Sequence, residues 1–226
     1  MTICDNLRTI GQRLRAAEAR CHRPADSVQL LAVSKRHPVS ALQAALACGQ
    51  RAFGENYVQE MVEKAEALPG QGIEWHFIGP IQSNKTRLIA VTASWVHSVE
   101  RLKIARRLSE QRPAAAPPLN ICLQVNISAE DTKSGLIPAQ VSALAHQVAA
   151  LPGLQLRGLM CIPAPETDFS RQRVAFARLR QLQEQLVGEG LALDTLSMGM
   201  SGDMEAAVAE GATLVRIGTA IFGARE

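Results

Sequence analysis

"LLAVSKRHP", Leu30 to Pro38, is the stretch from which the chain is best read. The apolar run has the mark of a buried strand, and it passes straight into Ser34 and Lys35. A lysine at a strand end usually just points into water. A sharper role for Lys35 needs support from the rest of the chain. Outward from this point, short runs rich in β-branched or aromatic residues alternate with longer stretches at helical spacing. The strand candidates are 30–34, 51–54, 74–79, 94–99, 119–126, 156–162, 193–199 and 213–218. Amphipathic segments at 38–48, 55–68, 84–91, 99–112, 138–151, 168–189 and 203–210 separate or follow them, and a helix over about 3–20 precedes the first strand. Regular βα alternation with eight strands predicts an α/β fold, a (β/α)8 TIM barrel closed on itself. The whole chain, 1–226, is expected to be one domain, with the barrel over about 28–226. An open Rossmann sheet would want GxGxxG after an early strand, and the sequence has none.

Composition narrows the partners. Hydrophobic residues make up 47% of the 226 and charged residues 20%, ordinary values for a globular protein. The formal charge is only +3, and the densest basic stretch (Arg101, Lys103, Arg106, Arg107) is interleaved with apolar residues at helical spacing. It predicts a solvated helix face, because aromatics total 4% and a nucleic-acid footprint would ask for more. The five cysteines are scattered and form no CxxC pair, so neither a disulfide nor a zinc site is expected. The histidines are dispersed, and no metal is expected. Residues 134–156 lack Asp, Glu, Lys and Arg, but polar residues and Pro138 and Pro152 interrupt them, which predicts a buried helix and a loop rather than a membrane span. With no apolar leader at the N-terminus, a cytoplasmic protein is expected.

Closure into a barrel gives Lys35 its context. Functional groups of such barrels gather at the C-terminal ends of the strands, and phosphate sites form after strands 7 and 8. Strand 8 adjoins strand 1 and ends in Arg216, Gly218 and Thr219. Gly218 allows close backbone approach to an anion, and a short helix over about 219–223 would aim N–H groups at it. Ser201 precedes another helix after strand 7; taken alone it is a helix N-cap. Alternation puts Leu214, Arg216 and Gly218 on one face of strand 8, so Arg216 is buried and needs an anion, a carboxylate partner or a strong acceptor. An amine, a phosphate cradle and an arginine between them suit pyridoxal 5′-phosphate (PLP), whose aldehyde forms a Schiff base with lysine and whose ring nitrogen takes Asp or Arg. Arginine can only donate. A protonated ring about 4 Å away would cost roughly 4 kcal/mol at an effective dielectric of 20. The ring therefore stays neutral and is a poor electron sink.

The motifs "AVSKRHP", "FGENYVQE", "WHFIGPIQSNK", "VNISAEDTKSG", "GLMCIPA" and "LSMGMSGDMEAAVAEGATLVRIGTAIFGAR" follow in order over about 32–225. Together they resemble the pyridoxal 5′-phosphate homeostasis protein family, barrels similar to the N-terminal domain of alanine racemase (fold type III). The resemblance implies that Lys35 is the Schiff-base lysine and that Arg216 faces the pyridine nitrogen. It implies that Ser201, Gly218 and Thr219 bind the phosphate and that Asn56 and Met198 lie near the ring. No residue is assigned a catalytic role. Lys85 and Lys133 match the family pattern without an assigned chemistry, Lys133 being a candidate second amine for handing the cofactor on. The expected function is a monomeric binding protein that buffers or delivers the cofactor to PLP-dependent apo-enzymes without substantial turnover. The alternative is a fold type III racemase or lyase using His76, Tyr57 or Lys133 as acid/base, although a hydrogen-bonded core histidine fits His76 better. A sugar-phosphate isomerase would need a carboxylate base at a strand end, where Glu55 is the early candidate.

Overall fold

A computed structural model describes residues 2–128 and 134–223, and in it the alternating pattern becomes a ring. Eight parallel strands follow one another around a closed barrel: β1 (Gln29–Val33), β2 (Ala52–Glu55), β3 (Glu74–Phe77), β4 (Trp95–Val99), β5 (Leu119–Val125), β6 (Leu154–Cys161), β7 (Thr195–Ser197) and β8 (Leu214–Ile217). The ring closes where β1 pairs with β8, Leu31 opposite Arg216. Helices α1 (Ile3–Arg20), α2 (Val39–Ala47), α3 (Val58–Ala67), α4 (Thr86–Thr92), α5 (Leu102–Gln111), α6 (Pro138–Ala149), α7 (Phe169–Gly188), α8 (Met204–Ala209) and α9 (Thr219–Phe222) lie outside the strands. Every predicted strand and helix is present, with ends shifted by a few residues at most.

Period-two alternation decides which side chains fill the barrel and which face the helices. Ala32, Phe53, Val96, Val215 and Ile217 belong to the main core, which packs between the outer strand faces and the helices. The interior is divided differently. Leu31, Ala52 and Leu214 form one small apolar patch, and Trp95, Cys122 and Met160 another. Buried His76, His97, Ser197 and Arg216 sit with them. Polar groups inside a barrel must bond to one another, and these do.

The first helix braces the closing seam. Thr2 and Asp5 form a reciprocal capping box at its start, which satisfies two helix-end donors. Packed against α2, α8 and α9, α1 also holds the last helix through Asn6 Nδ2, which donates to the Ile221 carbonyl at 2.8 Å. The expectation of no disulfide is corrected here: Cys4 and Cys48 are joined, with Cα atoms 5.6 Å apart. They lie 44 residues apart in sequence, so only the packing of α1 on α2 brings them together. Lys103 and Arg106 are exposed on α5, the solvated face predicted for them. Pro138 opens α6 at its first turn. Among the described residues no helix is long and apolar enough to cross a membrane, and no group of three or more His, Cys, Asp or Glu could hold a metal ion.

Candidate functional site

At the C-terminal ends of the strands lies a cavity of about 310 Å³, at the lower end of the range for small-molecule sites. Lys35, Asn56, Ser201, Arg216, Gly218 and Thr219 line it together. Six of the seven residues expected at the site thus share one cavity. Lys35 follows β1 in the same inward phase as Leu31 and Val33, and Asn56 follows β2 in the phase of Ala52 and Gly54. Asn56 is held from behind by Gly79, where a Cβ would fall 2.0 Å from the Asn56 carbonyl oxygen. Only glycine permits that approach. The Asn56 Oδ1 is buried without a hydrogen-bond partner, so it does not cap α3, whose N-cap is Tyr57. A buried acceptor without a partner, on a residue that lines the cavity, is suited to a ligand donor.

Met198 is the exception. It is fully buried in the core beneath the helices, because Ser197 before it takes the inward position. Gly199, at φ 95°, then breaks the alternation, and Met200 lines the cavity in its place. The repeated methionine of "SMGM" was the signal, but the phase reset at the glycine is invisible to a period count. Ser201 is likewise not a helix cap: Asp203 occupies the N-cap of α8. Gly218 is the N-cap of α9, so the first turn of that helix opens on the cavity.

Arg216 is 4% exposed, and burial pulls its guanidinium below its ordinary pKa. It donates through one terminal nitrogen to the Ser197 carbonyl at 2.6 Å and hydroxyl at 2.9 Å, and through the other to the Cys161 carbonyl at 2.9 Å. Among the described residues no carboxylate forms an ion pair with it. The Ser197 hydroxyl lies 2.8 Å from His97 Nδ1, His97 Nε2 lies 2.9 Å from His76 Nδ1, and His76 Nε2 lies 2.6 Å from a Glu74 carboxylate oxygen. Donor logic settles the direction of this chain. The ionised Glu74 carboxylate can only accept, so each neutral histidine carries its proton on Nε2 and the Ser197 hydroxyl donates to His97 Nδ1. Desolvation lowers both histidine pKa values, His97 the further, which keeps them neutral. The chain ends on Glu74, whose pKa its bond from His76 lowers. His76 is therefore the bonded core histidine that its strand setting suggested.

The other candidate acid/base groups stand elsewhere. Tyr57 is 48% exposed and takes a bond from Arg36 at 3.2 Å; it lines a neighbouring groove of about 540 Å³, not the Lys35 cavity. Lys85 lines that same groove and donates to Gln59 at 3.2 Å. Lys133 lies outside the described residues. Glu55 is buried and turned away from the cavity, toward Lys64 on α3 at 2.7 Å, which removes it as the base of a sugar-phosphate isomerase. Sequence reasoning passed over Lys64 and its second partner Glu60, although their spacing of four residues on one helix was a usable signal.

Comparison with known proteins agrees with this geometry. The alanine racemase N-terminal domain model matches residues 6–226. A pyridoxal phosphate homeostasis protein of Pseudomonas aeruginosa is 57% identical over 100% of this chain and 96% of its own length. An unknown protein from Bifidobacterium adolescentis superposes with a TM-score of 0.91 at 36% identity, covering 97% of this chain and 94% of that one. The PLP-bound structure of PipY from Synechococcus elongatus superposes with a TM-score of 0.83 at 37% identity, covering 98% of this chain and 100% of that one. With a closed eight-stranded barrel, an amine and a guanidinium at one cavity, and relatives matched over its full length, the chain belongs to the pyridoxal phosphate homeostasis protein family.

Proposed function

We propose that the protein holds pyridoxal 5′-phosphate on Lys35 and serves cofactor homeostasis by buffering or delivery, without substantial turnover of a substrate. The observation that carries this reading is that Lys35, Arg216 and the Ser201/Gly218/Thr219 group line one cavity of about 310 Å³. When bound, the cofactor supplies an aldehyde that the Lys35 amine captures as a Schiff base, with loss of water. Gly218 and Thr219, at the opening turn of α9, and Ser201 receive the phosphate. Arg216, already bonded to two carbonyls and a hydroxyl, would present a fixed positive charge to the ring nitrogen and keep it unprotonated. Asn56, whose buried Oδ1 has no hydrogen-bond partner, would stand beside the cofactor.

Absence of turnover is supported by where two of the three proton-transfer candidates stand. His76 is sealed within the barrel and Tyr57 lines a different groove. The family membership and the PLP-bound PipY relative support the same cofactor. PLP-dependent apo-enzymes of the cytoplasm are the recipients this reading calls for, and a single-domain monomer suffices for it.

The test is direct. Protein incubated with PLP is reduced with borohydride, and the modified lysine is located by mass. Label confined to Lys35, and lost in Lys35→Ala, is expected; label scattered over surface lysines overturns the reading. A panel of amino acids should leave the absorption of the loaded protein unshifted, whereas racemisation or decarboxylation dependent on Lys35 would establish the enzyme instead.

A further inference from the structure

Behind the cavity wall lies a cluster that cofactor binding by itself does not use. Ser34 and Glu55 are each one residue out of phase with the cavity-lining Lys35 and Asn56, so they face outward toward α3. There Lys64, 4% exposed, donates from Nζ to the Ser34 carbonyl, to Glu55 Oε1 and to Glu60 Oε1, each at 2.7 Å. The Ser34 hydroxyl adds a bond to Glu55 Oε1 at 2.6 Å. Two carboxyl groups and one lysine amine thus share a site closed off from water on most sides.

The backbone this cluster holds is the turn that carries Lys35. Ser34 accepts at its carbonyl from His37 N–H at 3.1 Å, which closes a four-residue turn with Lys35 and Arg36 at its centre. Arg36 has φ 61°, the left-handed conformation that a turn of this kind requires at its third position and that a side chain other than glycine resists. The Arg36 N–H donates to Glu60 Oε1 at 2.5 Å. On the other side, Ser34 N–H donates to the Gly54 carbonyl at 3.0 Å. The backbone is therefore tied immediately before and immediately after Lys35. The ties to the Ser34 carbonyl and the Arg36 amide both lead to one group of ionisable side chains on β2 and α3.

We propose that Glu60 and Lys64, with Glu55, are positioning residues that clasp the Ser34–His37 turn, and that this clasp sets how long Lys35 retains the cofactor. None of the three touches the cavity. They act by holding a strained turn in the one conformation that points the amine inward, so that loosening them hastens release without altering any group that contacts the ligand. The proposal rests on Lys35 being the anchor.

The experiment uses the full chain loaded with PLP, with release followed by transfer to an excess of a PLP-free acceptor enzyme. Glu60→Ala removes the acceptor of the Arg36 amide and should speed release by about tenfold or more, the effect expected from losing one charge-assisted hydrogen bond. Glu60→Gln keeps an acceptor oxygen and should remain close to wild type. Adding Arg36→Gly to Glu60→Ala should return release toward the wild-type rate, because glycine takes the left-handed conformation without being held. In the cofactor-free protein, exchange of the Arg36 amide should quicken in Glu60→Ala, independently of any ligand. Thermal unfolding confirms that each variant is folded. Release unchanged in Glu60→Ala, or no recovery in the double variant, overturns the proposal. Borohydride mapping in every variant separates the two claims: label away from Lys35 in the wild type sinks the anchor assignment, whereas label on Lys35 with unaltered release sinks the clasp alone.

Discussion

Two polar clusters flank the cavity, one inside the barrel and one between the barrel and α3, and they solve burial in different ways. Inside, Arg216 is a single cation bonded only to neutral acceptors, and a one-way chain through Ser197, His97 and His76 connects it to Glu74, whose side chain is 41% exposed. Outside, Glu55, Glu60 and Lys64 put three ionisable groups in direct contact. A chain of neutral donors and acceptors tolerates burial because every group is satisfied and only its ends are charged. A contact ion cluster tolerates it only while all partners remain, because each desolvated charge depends on its neighbour. The interior cluster is therefore suited to hold a charge steady beside a ligand. The outer cluster is suited to hold backbone.

The sharpest way to break this contrast is to remove the shared ammonium. Lys64→Met leaves the Glu55 and Glu60 carboxyl groups without their shared cation, and urea unfolding at pH 8, where Glu55 is ionised, should show a loss of about 3–5 kcal/mol. Adding Glu55→Gln should recover part of it. Equal losses in the single and double variants would mean that the cluster is held by packing rather than by charge.

The next effect is a pH dependence. Desolvation raises the Glu55 carboxyl from 4.5 to about 7, outweighing the pull of Lys64 and the Ser34 hydroxyl, while Glu60 pushes it up further. Lys64 and Glu60 from α3 and Ser34 from the end of β1 are the groups that act on it. A carboxyl that holds its proton more tightly when folded contributes stability that is whole below about 4.5 and is lost as pH rises through about 7. The amount is on the order of 3 kcal/mol. Wild type should accordingly lose stability relative to Glu55→Gln between pH 5 and pH 8, read from urea midpoints. Parallel curves would show that Glu55 is ionised throughout.

A smaller loss is expected from the interior cluster. Ser197→Ala leaves Arg216 its two backbone carbonyls but strips His97 Nδ1 of its donor, at a cost of about 1–3 kcal/mol. The smallest signal is spectroscopic. Both His76 and His97 should show neutral rings with the proton on Nε2 between pH 7 and pH 8, with His97 staying neutral further into acid than His76, measured by nitrogen NMR. A histidine that titrates in that window would make the two clusters alike, both ionic.

Much of this molecule is legible before any coordinates. All eight strands and the helices between them follow from periodicity, because a barrel strand buried on both faces writes a continuous apolar run and a covering helix writes a stripe. The approach of Lys35 to Arg216 follows as well, since closure must place the last strand beside the first. Met198 shows the limit. Alternation can be carried along a strand but not through Gly199, where a left-handed residue resets the phase. The Cys4–Cys48 link was missed for a related reason: no spacing rule applies to residues joined only by helix packing. The clasp around Lys35 was missed because its parts lie on three separate elements, each of which reads locally as an ordinary polar position.

By itself the sequence determined the barrel, the end of it at which chemistry gathers, and the amine and guanidinium that meet there. These follow from period and order along one dimension. Only the tertiary structure decided which methionine lines the cavity, that the buried arginine answers to a chain of neutral groups, and that the lysine's own turn is gripped from outside. Each of those is set by which side chain faces which neighbour across separate elements, and the choice between neutral and ionic burial depends on water being excluded from contacts that do not exist until the chain has folded.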